Sequence, residues 1–373
     1  MNNNQSDNLH CCEYINMNEE KSTIIPDICI CPPCGNCCSN LLKCPPSRDI
    51  EINIMVANIQ DRFRIPWRGG ARRISLDSAV PLLLFPAALY FAAQGFWPTI
   101  LIFSLVTLFL YYTHRTVRKY RVATKFFYVW TLTSASLVFI IFQFLVVYML
   151  DINTDENIIF TIFMVATAVC FFRTKKLAIK SHLKQDLEMT NLNENEVDEN
   201  AILLDDTEDI LCSPCKRVVP PRAYHCFVCK TCVIQQHVHS YWIDCCIGKH
   251  NRKPYIAGLI LGAILFTFLS NLILTTLCHP FNVFATVLLP DDCSDVYYDI
   301  VYGICFVSGL YCFAVAVILL FMFLYDTYMV SLGITYHEWQ ERCKEYKGDR
   351  PWFLSRQIIG NVGSNWRTFF NNI

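Results

Sequence analysis

Residues 212 to 251 contain Cys212-Ser-Pro-Cys215, Pro221-Arg222, His225-Cys226-Phe-Val-Cys229-Lys-Thr-Cys232, His237-Val238-His239-Ser240, Cys246-Ile247-Gly248 and Asn251. Six cysteines and two histidines recur there at metal-ligand spacing. A Cys-x2-Cys pair lets two thiolates reach one tetrahedral ion from a tight turn, and an imidazole completes a Cys3His set. One such pair is weak evidence, but interlocked pairs over this span point to two metal sites. Long apolar runs flank the stretch, so a zinc-binding segment between membrane helices is expected.

The 373 residues are 54% hydrophobic and only 17% charged, with a net charge of -1. Soluble domains carry about a quarter charged residues, so the chain is too apolar for one. Near-balanced charge argues against a nucleic-acid partner, since such domains are clearly basic. The 21 cysteines cluster with metal spacings and apolar runs, so most are expected to be reduced and cytosolic. Met1 to Asn8 is polar, and no cleaved signal peptide is expected.

Apolar runs cover 79–93, 96–112, 126–150, 158–172, 255–277 and 299–330. One such run could be a buried helix, but no globular core of this size needs the whole set. Gln94-Gly95 between the first two predicts a tight helical hairpin, and 158–172 is near the lower limit for spanning a core of ~30 Å. Arg62, Arg64, Arg68, Arg72 and Arg73 precede the first run. Arg115, Arg118, Lys119, Arg121 and Lys125 follow the second, and Lys175, Lys176, Lys180 and Lys184 follow the fourth. The remaining connections are acidic or neutral. The alternation predicts six spans with both termini and the metal segment in the cytosol. Cys278 and Cys293 then fall in a lumenal loop, where a disulfide is permitted. Asp326 reads as a boundary residue near the cytosolic end of the last run.

The 212–251 stretch resembles the DHHC family of protein S-acyltransferases (palmitoyltransferases). The resemblance implies one zinc on Cys212, Cys215, His225 and Cys232, and a second on Cys226, Cys229, His239 and Cys246. Trp242, Gly248 and Asn251 match the family pattern as well. Thr335-Tyr-His-Glu338 stands where the family has Thr-Thr-x-Glu. Residues 361–370 resemble its C-terminal element, in which an aromatic and an asparagine tie the tail to the core. The family's Asp-Pro-Gly element is absent between Arg173 and Leu211. Cys12 to Asn16 and Arg64 to Ala71 resemble the N-terminal extension of one animal branch of the family, the branch that interacts with neuronal nitric oxide synthase.

The Asp-His-His-Cys tetrad falls on His237, Val238, His239 and Ser240. In the family these positions supply an orienting carboxylate, a general base, a zinc ligand and the nucleophile. Only the zinc ligand is kept. Valine accepts no proton, and a serine ester is a poorer acyl donor to a thiol than a thioester is. Two rescues are open. His237 precedes Ser240 by three residues and would approach its hydroxyl on a helical turn, and Cys245 is a spare thiol beside Cys246. The plainer readings are an exposed loop histidine and a small buried filler.

The expected architecture is an all-α polytopic membrane protein of about six transmembrane helices, with a cytosolic cysteine-rich two-zinc domain between spans 4 and 5. Its segments are a cysteine-rich head (1–78), spans 1–4 (79–172), an acidic linker (173–211), the zinc domain (212–254), spans 5–6 (255–330) and a tail (331–373). In the head, Cys11, Cys12, Cys37 and Cys38 are candidate lipidation sites. Metal binding and plain exposed thiols are the competing readings of its cysteines. The expected function is a catalytically impaired palmitoyltransferase relative with a binding or regulatory role. The alternative is an active S-palmitoyltransferase with a displaced nucleophile. Two structural zinc ions, palmitoyl-CoA as substrate or ligand, membrane lipid, and protein clients or a competent catalytic partner follow from it. The expected location is the endomembrane system or plasma membrane.

Overall fold

The computed structural model describes residues 13–15, 21–23, 64–65, 72–73, 75–149, 152–183, 210–284, 287–345 and 361–371. The lipidation candidates Cys11, Cys12, Cys37 and Cys38 and residues 184–209 of the acidic linker lie outside them. The chain divides into two compact units, 1–83 and 84–373. In the first, β1 (Glu13–Ile15) pairs antiparallel with β2 (Lys21–Thr23), and β3 (Arg64–Ile65) with β4 (Arg72–Arg73).

Six apolar helices follow among the described residues. They are α1 (Leu76–Ala92), α2 (Phe96–Tyr120), α3 (Phe126–Met149), α4 (Thr154–Ser181), α5 (Arg252–Leu277) and α6 (Ile300–Leu332). The last five are long and apolar enough to cross a membrane. α1 has 17 residues, which at a rise of ~1.5 Å per residue falls a few ångströms short of a ~30 Å core. Side chains such as Trp97, Phe109, Tyr112, Phe144, Ile162, Phe313 and Phe321 point outward and exposed. A soluble protein could not carry so many apolar side chains on its surface, but a lipid-facing bundle requires them.

Local chemistry fixes the helix ends. Thr99 Oγ1 donates to Ala92 O at 2.7 Å and Gly95 O at 2.9 Å, closing the α1–α2 turn. α4 starts with a capping box in which Asn153 and Glu156 satisfy each other's backbone N–H groups. Asp299 caps α6 through the N–H of Val301 at 2.9 Å. α6 ends at Gly333, whose φ of +68° is the left-handed region, and a Cβ there would sit 2.8 Å from Asn365 Oδ1.

α2 and α4 run well past the apolar limits read from sequence. Positively charged residues lengthen a helix beyond the hydrocarbon without breaking it, since Lys and Arg are good helix formers. α3 contains a π-helical turn at Phe142–Val146. Beside it, Gln143 and Asn157 exchange hydrogen bonds of 2.8 and 3.3 Å between α3 and α4. α5 packs along both α4 and α6.

At the far end of α5, β11 (His279–Phe284) and β12 (Val287–Asp292) form an antiparallel hairpin, and Cys278 and Cys293 at its base are joined by a disulfide. At the near end lie three small hairpins: β5 (Ile210–Cys212) with β6 (Arg217–Val219), β7 (Ala223–Cys226) with β8 (Thr231–Ile234), and β9 (Val238–Ser240) with β10 (Cys245–Ile247). Two tail helices complete the unit, α7 (Tyr336–Glu345) and α8 (Val362–Asn371).

Candidate metal centres and acyl-transfer site

Each of the three hairpins turns through a non-glycine residue with positive φ, Lys216 (52°), Lys230 (54°) and Asp244 (56°). In the first two, that residue directly follows a Cys-x2-Cys pair. The tight left-handed step folds both thiols to one side, where an incoming ligand completes the set.

The side chains of Cys212, Cys215, His225 and Cys232 converge, as do those of Cys226, Cys229, His239 and Cys246. Within each group the ligand atoms all lie within 4.8 Å of one another. In the first, His225 Nδ1 is 3.1 Å from Cys215 Sγ, and Cys232 Sγ is 3.4 Å from Cys212 Sγ. In the second, His239 Nδ1 lies 3.4 Å from Cys229 Sγ and 3.5 Å from Cys246 Sγ. Tetrahedral zinc with bonds of ~2.0–2.3 Å separates neighbouring ligand atoms by about 3.5–3.8 Å, so both clusters are compatible with one zinc each. His225 and Cys226 are chain neighbours serving different clusters, which locks the two sites together.

Asn251 joins the third hairpin to the membrane helices. It is fully buried. Its Nδ2 donates to Cys246 O at 2.8 Å and Thr174 O at 3.1 Å, and its Oδ1 accepts from Gly248 N at 2.8 Å. A Cβ on Gly248 would lie 2.9 Å from Ile234 O, so only glycine fits there.

Strand alternation sorts the four tetrad positions. His239 turns to the metal cluster opposite Cys246, so Val238 and Ser240 share the other face of β9, opposite Ile247 and Cys245. Val238, Cys245 and Ile247 pack with Tyr255, Leu259 and Val330 in an apolar cluster beneath the hairpin. Ser240 is buried. The Cys245 thiol is buried too, and burial pushes its pKa up to about 12, which removes its nucleophilic form at neutral pH.

His237 departs from both sequence expectations. It is not an exposed loop histidine but almost wholly buried. It does not approach Ser240 on a helical turn either, because residues 238–240 form a strand. Its Nε2 lies 2.8 Å from Asp326 Oδ1, and its Nδ1 accepts the backbone N–H of Tyr336 at 3.1 Å. Burial lowers its pKa, against the opposing pull of Asp326. Asp326 does stand near the metal-domain end of α6, but it is buried against His237, only 3% exposed. The sequence carried a signal for it, since Asp326 is the only charged residue of α6, and an acid inside an apolar span calls for a partner.

Sequence reading also missed the aromatic nest over the hairpin turn. Tyr241 packs edge-on to His239 with centroids 4.9 Å apart, and Trp242 stacks on His114 of α2. Tyr336 replaces the second threonine of the family's Thr-Thr-x-Glu. Its hydroxyl accepts hydrogen bonds from Arg118 and from Gln340 Nε2, the latter at 2.8 Å. In the tail element, Asn365 Nδ2 donates to Ser331 O at 2.9 Å and Trp366 Nε1 to Ser331 Oγ at 3.0 Å.

Residues 206–342 match the profile of the DHHC palmitoyltransferase family. The chain is 26% identical to the mouse protein named palmitoyltransferase ZDHHC23, over 98% of this chain and 92% of that one. It is 25% identical to human palmitoyltransferase ZDHHC23, over 92% and 91%. A shorter match, 32% identical over 21% of this chain and 28% of the relative, links it to the mouse probable palmitoyltransferase ZDHHC24. With its paired Cys3His clusters set among membrane helices, the 206–342 segment is a DHHC palmitoyltransferase domain, and the chain is similar over nearly its whole length to the ZDHHC23 proteins.

Proposed function

We propose that this multi-pass membrane protein is a catalytically impaired member of its family, which keeps the zinc-braced scaffold and acts by binding protein clients or a competent transferase. The observation that carries this reading is Val238 at the base position, packed into the apolar cluster below the hairpin. A hydroxyl at residue 240 becomes a nucleophile only when a neighbouring base takes its proton, and general base help is worth about 10²–10⁴-fold. His237 is engaged instead by Asp326 and by the backbone of Tyr336.

Zinc held by Cys212, Cys215, His225 and Cys232, and by Cys226, Cys229, His239 and Cys246, would play a structural part. Four protein ligands leave no open position for a substrate. The zinc-bearing end, with the Arg115–Lys125 and Lys175–Lys180 segments, is assigned to the cytosol, where thiolates stay reduced. The Cys278–Cys293 end is assigned to the lumen or exterior, where disulfides persist.

The test is incubation of the purified protein with an alkyne-tagged palmitoyl-CoA, followed by neutral hydroxylamine. The expected outcome is no hydroxylamine-sensitive label in residues 212–251. Label at Ser240 or Cys245 that disappears in Ser240→Ala or Cys245→Ala would replace this proposal with an active transferase.

A further inference from the structure

Position 237 holds an imidazole where the family pattern has a carboxylate, and position 326, on α6, holds a carboxylate that meets it. Both side chains are closed off from solvent, 1% and 4% exposed, and His237 Nε2 and Asp326 Oδ1 are 2.8 Å apart. The tautomer follows from the other ring nitrogen. A backbone N–H can only donate, and that of Tyr336 is directed at Nδ1 from 3.1 Å. Nδ1 therefore presents its lone pair and the ring proton sits on Nε2, close to the carboxylate oxygen but not aligned for a hydrogen bond to it. His237 is thus a through-link. Its ring accepts from the first residue of α7 and lies against Asp326 of α6, while its backbone N–H donates to Ile247 O of β10 at 2.8 Å.

We propose that His237 and Asp326 are an exchanged polar pair. The carboxylate that the family pattern places on the hairpin is supplied here from α6, and the pair positions the hairpin that bears residue 240. Rebuilding the tetrad on this chain then requires a change on α6 as well. His237→Asp by itself sets two carboxylates against each other in a site closed off from bulk solvent. The charge of Arg252 is felt at both positions, but it makes no ion pair with either among the described residues, and its Nε and Nη2 have no hydrogen-bond partner there. Neither carboxylate has a donor between them, and one must be protonated or the contact must open. The inference holds whether or not the unaltered chain transfers acyl groups.

The experiment uses the full-length chain in detergent and two readouts. The first is a stability cycle on His237→Asp, Asp326→His and the double exchange, read as the fraction of monodisperse protein surviving a fixed heat step. Each single change is expected to lower that fraction, and the double exchange to recover it by roughly tenfold over either single, the size of coupling seen between contacting residues. Should the double exchange be too crowded to fold, His237→Asp with Asp326→Asn serves instead, because the amide donates to the new carboxylate. The second readout is hydroxylamine-sensitive palmitoyl label in a Val238→His, Ser240→Cys background. Adding His237→Asp together with Asp326→His, or with Asp326→Asn, is expected to give several-fold more label per folded chain than adding His237→Asp alone. Two results would overturn the proposal: losses in stability that simply add, or equal label per folded chain with and without the change at 326.

Discussion

Arg222 and Glu338, 116 residues apart in the chain, meet in a two-pronged pair: Nε and Nη2 of the guanidinium face Oε1 and Oε2, the latter contact at 3.0 Å. The same Nη2 donates to Gly333 O at 3.1 Å. One arginine of the metal domain thereby closes both the end of α6 and the start of α7. Replacement by Arg222→Ala is expected to cost about 1 kcal/mol, since Arg222 is partly exposed and such pairs are screened. Faster hydrogen exchange in residues 336–345, with no change in the transmembrane helices, is the outcome to look for.

The same contact gives a pH dependence. Burial alone would raise the Glu338 carboxyl, but the hydrogen bonds from Arg222 and the N–H of Thr335 outweigh it and hold the pKa below the ordinary value. A depressed carboxylate stabilises above its unfolded pKa of about 4.3 and loses that contribution as pH falls through the lower folded value. Protection of α7 should therefore be unchanged from pH 7 to pH 5 and decline only in stronger acid. Loss of protection already at pH 6 would contradict it.

Elemental analysis of the purified chain is expected to give about two zinc per protein, from the two Cys3His sets. Strong chelation should expose the six ligand thiols to alkylation while leaving most helical circular dichroism intact, because the helices are braced by lipid-facing packing rather than by metal. Cys232→Ser, in the first cluster, is expected to lower the zinc content to one or fewer.

Asn251→Ala removes two donated bonds and one accepted bond at a fully buried position. Thr174 O, Cys246 O and Gly248 N all lose a partner, so the expected cost is about 2–4 kcal/mol. The sign to seek is a lower unfolding midpoint together with weaker zinc retention, since the Cys246 backbone is one of the groups released.

Gly333→Ala is expected to be destabilising for two reasons that act together. The backbone is left-handed there, and the new methyl would strike the amide of Asn365. Heightened proteolytic sensitivity of residues 361–371 would register the loss of the contacts that Asn365 and Trp366 make to Ser331.

What could be read in the sequence was local. Apolar runs announced the membrane helices, and Cys-x2-Cys spacing announced the clusters, because both signals lie within a few turns of chain. Helix ends were less legible. Apolarity marks the part of a helix that lies in lipid, and α4 continues through Thr174, Lys175 and Lys180 to Ser181 after its apolar run has ended. The partners of Arg222 and His237 were not legible at all. Each lies about 90 or more residues away on another helix, and no spacing rule connects them. His237 was misjudged for a second reason, since a three-residue interval means one face of a helix and opposite faces of a strand.

The disulfide and the thiolate clusters stand at the two ends of α5, one made by oxidation and the other destroyed by it. On the proposed orientation, a copy threaded upside down would have its zinc ligands crosslinked and its hairpin left unlocked, so the cysteines themselves would report which way round the chain entered the bilayer.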